Sequence, residues 1–228
     1  HTVYQKLSQF CAVELSAIYH DLVKDRLYSD ASTSHRRKSS QTALYHLVKG
    51  YSQLLSPILV FTADEAWGFI PGHSPGSDCI HLTRFEEGLD FKISEEEERQ
   101  WTVMFEVRDR ILGVLEKARK EKVIGKSLEA VVAIQLEGDE KIVIEKNQET
   151  FLEILNISQL VVVDEAKEKS INIEGANIEF QDEQPIVVQH LQEFGASKCS
   201  RCWHWETSVG KDSDHPELCH RCIDAISV

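Results

Sequence analysis

The chain has 228 residues, with 25 Lys and Arg against 38 Asp and Glu and a formal net charge of −13. That length holds one sizeable core, or a medium domain with small appendages, and no run approaches the roughly 18 apolar residues of a membrane span. Such acidity speaks at first sight against a nucleic-acid partner, yet residues 1–49 carry seven basic against four acidic side chains, residues 198–228 four against five, and residues 50–197 fourteen against twenty-nine. Both ends therefore remain open to a polyanion. His1-Thr2-Val3 lacks an initiator Met and enters a helical pattern at once, so the chain reads as a piece of a longer one. No signal-peptide pattern opens it, and a cytoplasmic location away from membranes is expected.

Leu7, Cys11, Leu15, Ile18 and Leu22 recur at three- and four-residue steps, the stripe of one amphipathic helix ending near Tyr28. Residues 29–34 read as a polar turn. A second helix starts near Ser34, carries Leu44, Leu47, Val48, Tyr51, Leu54 and Leu55, and stops at Pro57. Thr62-x-x-Glu65 fits a capping box for a short third helix through Trp67 and Phe69. Pro71 to Gly76 is a loop. Glu95 to Glu98 open a long fourth helix with acids where its dipole favours them. Its stripe is Trp101, Met104/Phe105, Arg108, Ile111/Leu112, Leu115 and Ala118, a basic run Arg119-Lys120-x-Lys122 closes it, and Gly125 ends it. Trp67 and Trp101 are expected in the core, Tyr28 and Tyr45 as packing residues, and His81 as a satisfied structural histidine.

From Leu128 the period changes to two, through Ala130, Val132, Ile134 and Leu136, which predicts a strand. Residues 149–155 suggest a short helix and residues 159–163 a second strand. Ile171–Ile173, Ile178–Phe180 and Ile186–Val188 are further short strands. The fold class is mainly α with a small α+β subdomain. Its expected divisions are a helical domain over 1–126, an α+β unit over 127–197 and a zinc-binding module over 198–228.

Cys199-x2-Cys202 and Cys219-x2-Cys222 are two pairs with sixteen residues between them. Each pair aims two sulfurs at one ion, and the loop brings the second pair round to complete a tetrahedron. One structural Zn2+ is the reading; a rubredoxin-type iron site uses the same four sulfurs. Disulfides fit a short secreted chain better than this one, and a redox pair usually stands alone. A segment this short needs the metal to fold. His204, His215 and His220 lie in or beside the loop as surface residues or neighbours of the site. Cys11 and Cys79 read as small buried apolar residues.

Lys24-Asp25-Arg26-Leu27-Tyr28, Arg36-Arg37 followed by Gln41-Thr42-Ala43-Leu44-Tyr45-His46, and Ser56-Pro57 through Ala66-Trp67 follow one another in the helical part. Glu116 through Ala130, with Ile124-Gly125-Lys126-Ser127-Leu128-Glu129-Ala130, comes next, and the tail is Lys198-Cys199-Ser200-Arg201-Cys202-Trp203 with Leu218-Cys219-x-Arg221-Cys222. In this order the segments resemble the anticodon-binding region and the zinc-binding tail of class I aminoacyl-tRNA synthetases, the bacterial-type isoleucyl family in particular. The resemblance covers nearly the whole chain, with Ser29-Asp30 where that family often has a Cys. It implies a helical-bundle anticodon-binding domain, an α+β unit and a four-cysteine, zinc-ribbon-like module. The nucleotide-binding HIGH and KMSKS signatures of the family do not occur in these residues. The resemblance therefore implies a C-terminal portion of an isoleucine–tRNA ligase, without catalytic residues, inactive alone, with ATP and Mg2+ used elsewhere in the enzyme. Implied partners are isoleucine tRNA and the rest of the synthetase, in a monomer.

Anticodon bases are read splayed out, stacked on aromatic or guanidinium faces, while Lys and Arg hold phosphates. The candidates are Lys24, Arg26, Arg36, Arg37 and Lys38 in the helical part and Arg201, Trp203 and Trp205 beside the first cysteine pair. Trp203 is expected outside. Arg201 and Arg221 are equally suited to donate to ligand sulfurs. The alternative is a zinc-containing protein-interaction module, or a general nucleic-acid module without anticodon specificity.

Overall fold

The computed structural model describes residues 1–85, 92–164, 170–173, 176–180 and 184–227. The predicted first helix is three end-to-end pieces: α1 (Thr2–Gln9), a wider π-wound stretch (Phe10–Tyr19) and α2 (His20–Ser29). The expected stripe holds, since Leu15 is buried and Leu7, Cys11, Ile18 and Leu22 are half-buried. The chain divides into two compact units, His1–Ser29 with Ile93–Val228, and Asp30–Lys92.

The smaller unit holds α3 (His35–Leu55) and α4 (Val60–Gly68). Ser34 caps α3 by accepting from the Arg37 amide at 3.3 Å. Its core is Ala63, Trp67, Ile70 and Ile80 with Tyr45 against them, as expected for Trp67 and Tyr45. Gly68 is required here: a Cβ would stand 2.8 Å from Pro75 Cα. His81 is exposed, and its Nε2 lies 3.2 Å from the Val60 carbonyl. The Thr62 capping box does not form. The helix begins at Val60 after Leu59, which offers no side-chain cap, and Thr62 is already its third residue.

The larger unit is organised by α5 (Glu95–Lys120). Its start is a capping box at Ser94, not visible in the acidic run alone: the Ser94 hydroxyl accepts from the Glu97 amide and the Glu97 carboxylate accepts from the Ser94 amide at 2.8 Å. Ser94→Ala should cost about 1 kcal/mol, read as an earlier urea midpoint with an unchanged slope. The helix stops at Lys120, before Gly125. Lys122 takes the left-handed conformation, φ 62°, and the Val123 amide reaches back to the Ala118 carbonyl at 2.9 Å, closing the helix without a glycine. Met104, Val107, Ile111, Leu115 and Ala118 face inward. Trp101, expected in the core, instead remains 39% exposed, because Gln100 takes the buried position one residue earlier.

β1 (Ala130–Leu136) follows, then α6 (Gly138–Lys146), α7 (Gln148–Leu155) and β2 (Gln159–Asp164). β1 and β2 are parallel, Val131 opposite Gln159, so a crossover must join them, and α6 and α7 supply it. β3 (Ser170–Ile173) and β4 (Ala176–Glu179) form an antiparallel pair, and β5 (Ile186–His190) lies antiparallel on the other side of β1, giving the order β2-β1-β5. The predicted alternation at Ala130, Val132, Ile134 and Leu136 marks the face packed on α5, α6 and α7. The intervening Val131 and Ala133 are apolar too, and they are buried with Val163, Ile171, Ile178, Leu191 and Phe194. β1 is thus a central strand covered on both faces.

β6 (Ser197–Lys198) and β7 (Trp205–Glu206) pair antiparallel around the first cysteine pair, and α8 (His220–Ile226) carries the last cysteine. Among the described residues no helix is long and apolar enough to cross a membrane.

Candidate metal centre and nucleic-acid interface

The Sγ atoms of Cys199, Cys202, Cys219 and Cys222 lie within 4.8 Å of one another, all four residues buried. Tetrahedral Zn–S bonds of about 2.3 Å place sulfurs roughly 3.8 Å apart. The Cys202 and Cys219 sulfurs stand at 3.7 Å. The local backbone builds the first corner: the Cys199 amide donates to the His204 carbonyl at 2.9 Å and the Trp203 amide to the Cys199 carbonyl at 3.0 Å. The second is braced by the Cys219 amide, which donates to Cys199 Sγ at 3.4 Å. Hydrogen bonds from Cys202 and Cys219, then from Arg201, pull the Cys222 thiol down, while Cys202 and Cys222 hold the Cys219 thiol up. Among the described residues no His or carboxylate joins the set. Four thiolates fill a tetrahedron, so the donor set fits a closed structural Zn2+ rather than a catalytic one with an open position.

The two arginines inside the cysteine pairs clamp this module to α2. Arg201 donates to the Ser29 carbonyl and also to Cys222 Sγ at 3.6 Å. Arg221 pairs with Asp25 through both guanidinium nitrogens, the longer contact 2.7 Å, and donates to the Cys202 sulfur. Each arginine thus bridges α2 to a sulfur of the opposite cysteine pair, the donor role that the sequence left even with RNA contact for Arg201 and Arg221. Burial disfavours the Asp25 carboxylate, but hydrogen bonds and charge from Arg221, with His204 and Ser29, outweigh it and hold its pKa below the ordinary value. His204 Nε2 stands 3.9 Å from Asp25, and His215 and His220 are exposed.

Beside the clamp lies a cleft of about 570 Å³ between α2, the end of α7 and the first cysteine corner. Tyr28, Lys24, Asn156, Arg201 and Trp203 are among its lining residues. Trp203 is 61% exposed, as expected. Its backbone is left-handed, φ 67°, a conformation that disfavours a bulky residue. The ring also borders a second depression, where Lys198 Nζ sits 5.7 Å from its centroid. Tyr28, expected to pack, is 77% exposed, so the cleft has two accessible aromatic faces.

The remaining candidates divide. Lys24 is exposed and reaches Asp21 at 2.8 Å. Arg26 is turned inward onto Glu153 of α7, with Nε 3.0 Å from each oxygen. Trp205 packs edge-on against His190 at 4.8 Å, half-buried against the cluster behind the sheet. In the smaller unit, Arg36 holds the Asp30 carboxylate at 2.6 Å and Arg37 the Asp30 carbonyl at 2.9 Å, closing the turn before α3, while Lys38 is exposed. Cys11 and Cys79 are half-buried. The sequence reading missed Asp25, Tyr28, Asn156 and Lys198; only Asn156 carried a local signal, as an Asn directly after a helical run.

Residues 1–134 match the family described as the anticodon-binding domain of tRNA ligase. The chain belongs to that family. Residues 196–225 match a second family model, the zinc finger found in FPG and IleRS, which decides between zinc and iron at the four sulfurs. The chain is 39% identical over 227 residues to the isoleucine–tRNA ligase of Brachyspira hyodysenteriae, covering 99% of this chain and 23% of the relative. It is 35% identical to that of Syntrophotalea carbinolica, over 100% of this chain and 23% of the relative. With the isoleucine–tRNA ligase of Sodalis glossinidius the figures are 34%, 100% and 24%. The chain therefore spans about a quarter of the length of the curated relatives it matches.

Proposed function

We propose that this chain binds the anticodon stem-loop of isoleucine tRNA as the C-terminal part of an isoleucine–tRNA ligase. The observation that carries the reading is an alignment over nearly the whole chain with proteins of that name, at 39% identity, through an anticodon-binding domain and a zinc finger in the same order. The cleft beside Trp203 supports it. Single-stranded RNA is read by stacking its unpaired bases on aromatic side chains, and Tyr28 and Trp203 offer such faces beside Lys24. Nothing in the matches favours the interaction-module alternative.

In this reading Trp203 stacks a base, and Lys24 and Lys38 meet phosphates. Arg26, Arg36 and Arg37 frame the helices, while Arg201 and Trp205 brace the metal-bound corner. The reading divides the chain into the helical domain over 1–126, the α+β unit over 127–197 and the zinc module over 198–228. It places the whole enzyme in the cytoplasm as a monomer. Isoleucine, ATP and Mg2+ would be handled by the parts of the relatives' length that lie beyond this chain.

The test is a titration of the zinc-loaded chain against isoleucine tRNA and the same tRNA with a swapped anticodon. Preference for the native anticodon is expected, and no binding to either at low salt would refute the reading. Trp203→Ala should weaken binding by about 1–3 kcal/mol, the worth of one stacked base, while leaving the zinc content unchanged.

A further inference from the structure

Among the described residues three non-glycine residues hold a positive φ: Lys122, Asn156 and Trp203. Two of the three, Asn156 at φ 53° and Trp203 at φ 67°, line the same cleft. Left-handed backbone is costly for a bulky side chain such as Trp203 and recurs where function holds it in place, whereas Asn adopts it more readily than other non-glycine residues. Asn156 ends α7. Its amide donates to the Glu153 carbonyl at 3.0 Å and the Ile157 amide reaches the Leu152 carbonyl at 3.4 Å, the double closure in which glycine is the usual residue. Gly195 fills the equivalent place after Phe194. Asn156 keeps a side chain where none is needed for the turn.

That side chain is also fixed. Its Nδ2 donates to Asp21 at 3.3 Å, and Asp21 in turn accepts from Lys24 at 2.8 Å. All three residues line the cleft. The bond to Asp21 uses one of the two amide hydrogens. The second hydrogen and the carbonyl oxygen remain as a further donor and an acceptor on the same planar group. Adenine presents the complementary pair, an amino donor next to a ring-nitrogen acceptor, and carboxamides are its usual partners.

We infer that Asn156 is a specificity residue of this cleft, reading the polar edge of an adenine stacked on Trp203. The inference rests on the tRNA-binding reading above. Lys24 and Asp21 act through it, holding the carboxamide in one plane.

Asn156→Gly tests it, since glycine suits this backbone at least as well and the fold should keep its thermal midpoint. The probes are isoleucine tRNA transcripts with each adenine of the anticodon loop replaced in turn by guanine. The zinc-loaded wild-type chain should lose about tenfold in affinity for one of these transcripts, within the range of a paired base contact. Asn156→Gly should bind the unaltered transcript about tenfold more weakly and no longer distinguish that replacement. Wild-type discrimination that survives intact in Asn156→Gly would overturn the inference and leave the tRNA-binding reading standing. A wild-type chain that binds no transcript would remove both.

Discussion

Stripping zinc with a strong chelator should unfold residues 196–226 while leaving most of the sheet and α5 folded. The module has almost no core of its own: its buried cluster is the four cysteines, with Val209 and Leu218 against them. Metal binding is worth about 10–16 kcal/mol in comparable small zinc modules at neutral pH, far more than these contacts could replace. Cys222→Ser should behave like the chelator, because losing one thiolate opens the tetrahedron. The expected signals are a fluorescence change from Trp203 and Trp205 and rapid amide exchange confined to the tail, both reversed by added zinc in the wild type alone. Acid should act in the same direction, since the ligands bind as thiolates and protons compete for them. A tail that stayed protected after complete metal removal would refute a folding role for zinc.

The elements that were legible in the sequence are those written in local spacing. The two cysteine pairs place four sulfurs around one point because each short turn fixes its own pair. The three long helices and the strand at Ala130–Leu136 follow from their apolar periods. The errors have physical causes of two kinds. Helix ends were set by backbone geometry that residue type only weakly signals: Lys122 adopts the conformation expected of Gly125, and α4 starts three residues inside its loop-side flank without a cap. α6 has no counterpart among the elements expected from the sequence, yet a helix is the usual crossover between parallel strands such as β1 and β2. The second kind concerns pairing at a distance. Nothing near Asp25 announces Arg221, 196 positions away, or near Arg26 announces Glu153, 127 away. Basic residues that looked equally available for RNA are thus sorted by tertiary partners, Arg26 and Arg201 bound within the protein and Lys24 at its surface.

That distant pairing yields the second large effect. Asp25→Ala should cost about 2–3 kcal/mol, less than the 3–5 kcal/mol of a fully buried ion pair because Arg221 keeps 40% of its side chain exposed. The loss has a particular location. Asp25 is where α2 grips the zinc module, and without it Arg221 keeps its sulfur contact but loses its anchor on the helix. The four ligands are untouched, so the variant should bind one zinc per chain as tightly as wild type. What should change is the hold of the module on α2, and with it the cleft, whose walls come from both. Faster amide exchange at residues 199–206 with full zinc content is the expected pattern. A double-mutant cycle of Asp25→Ala with Arg221→Ala separates this from a general loss of stability, since a direct grip requires a coupling well above the few tenths of a kcal/mol seen between independent sites. Additive costs would show that Arg201 and its bond to the Ser29 carbonyl hold the module alone. With coupling present, the metal folds the module and the arginines aim it, so the sulfur-bound guanidinium groups set where Trp203 presents its ring.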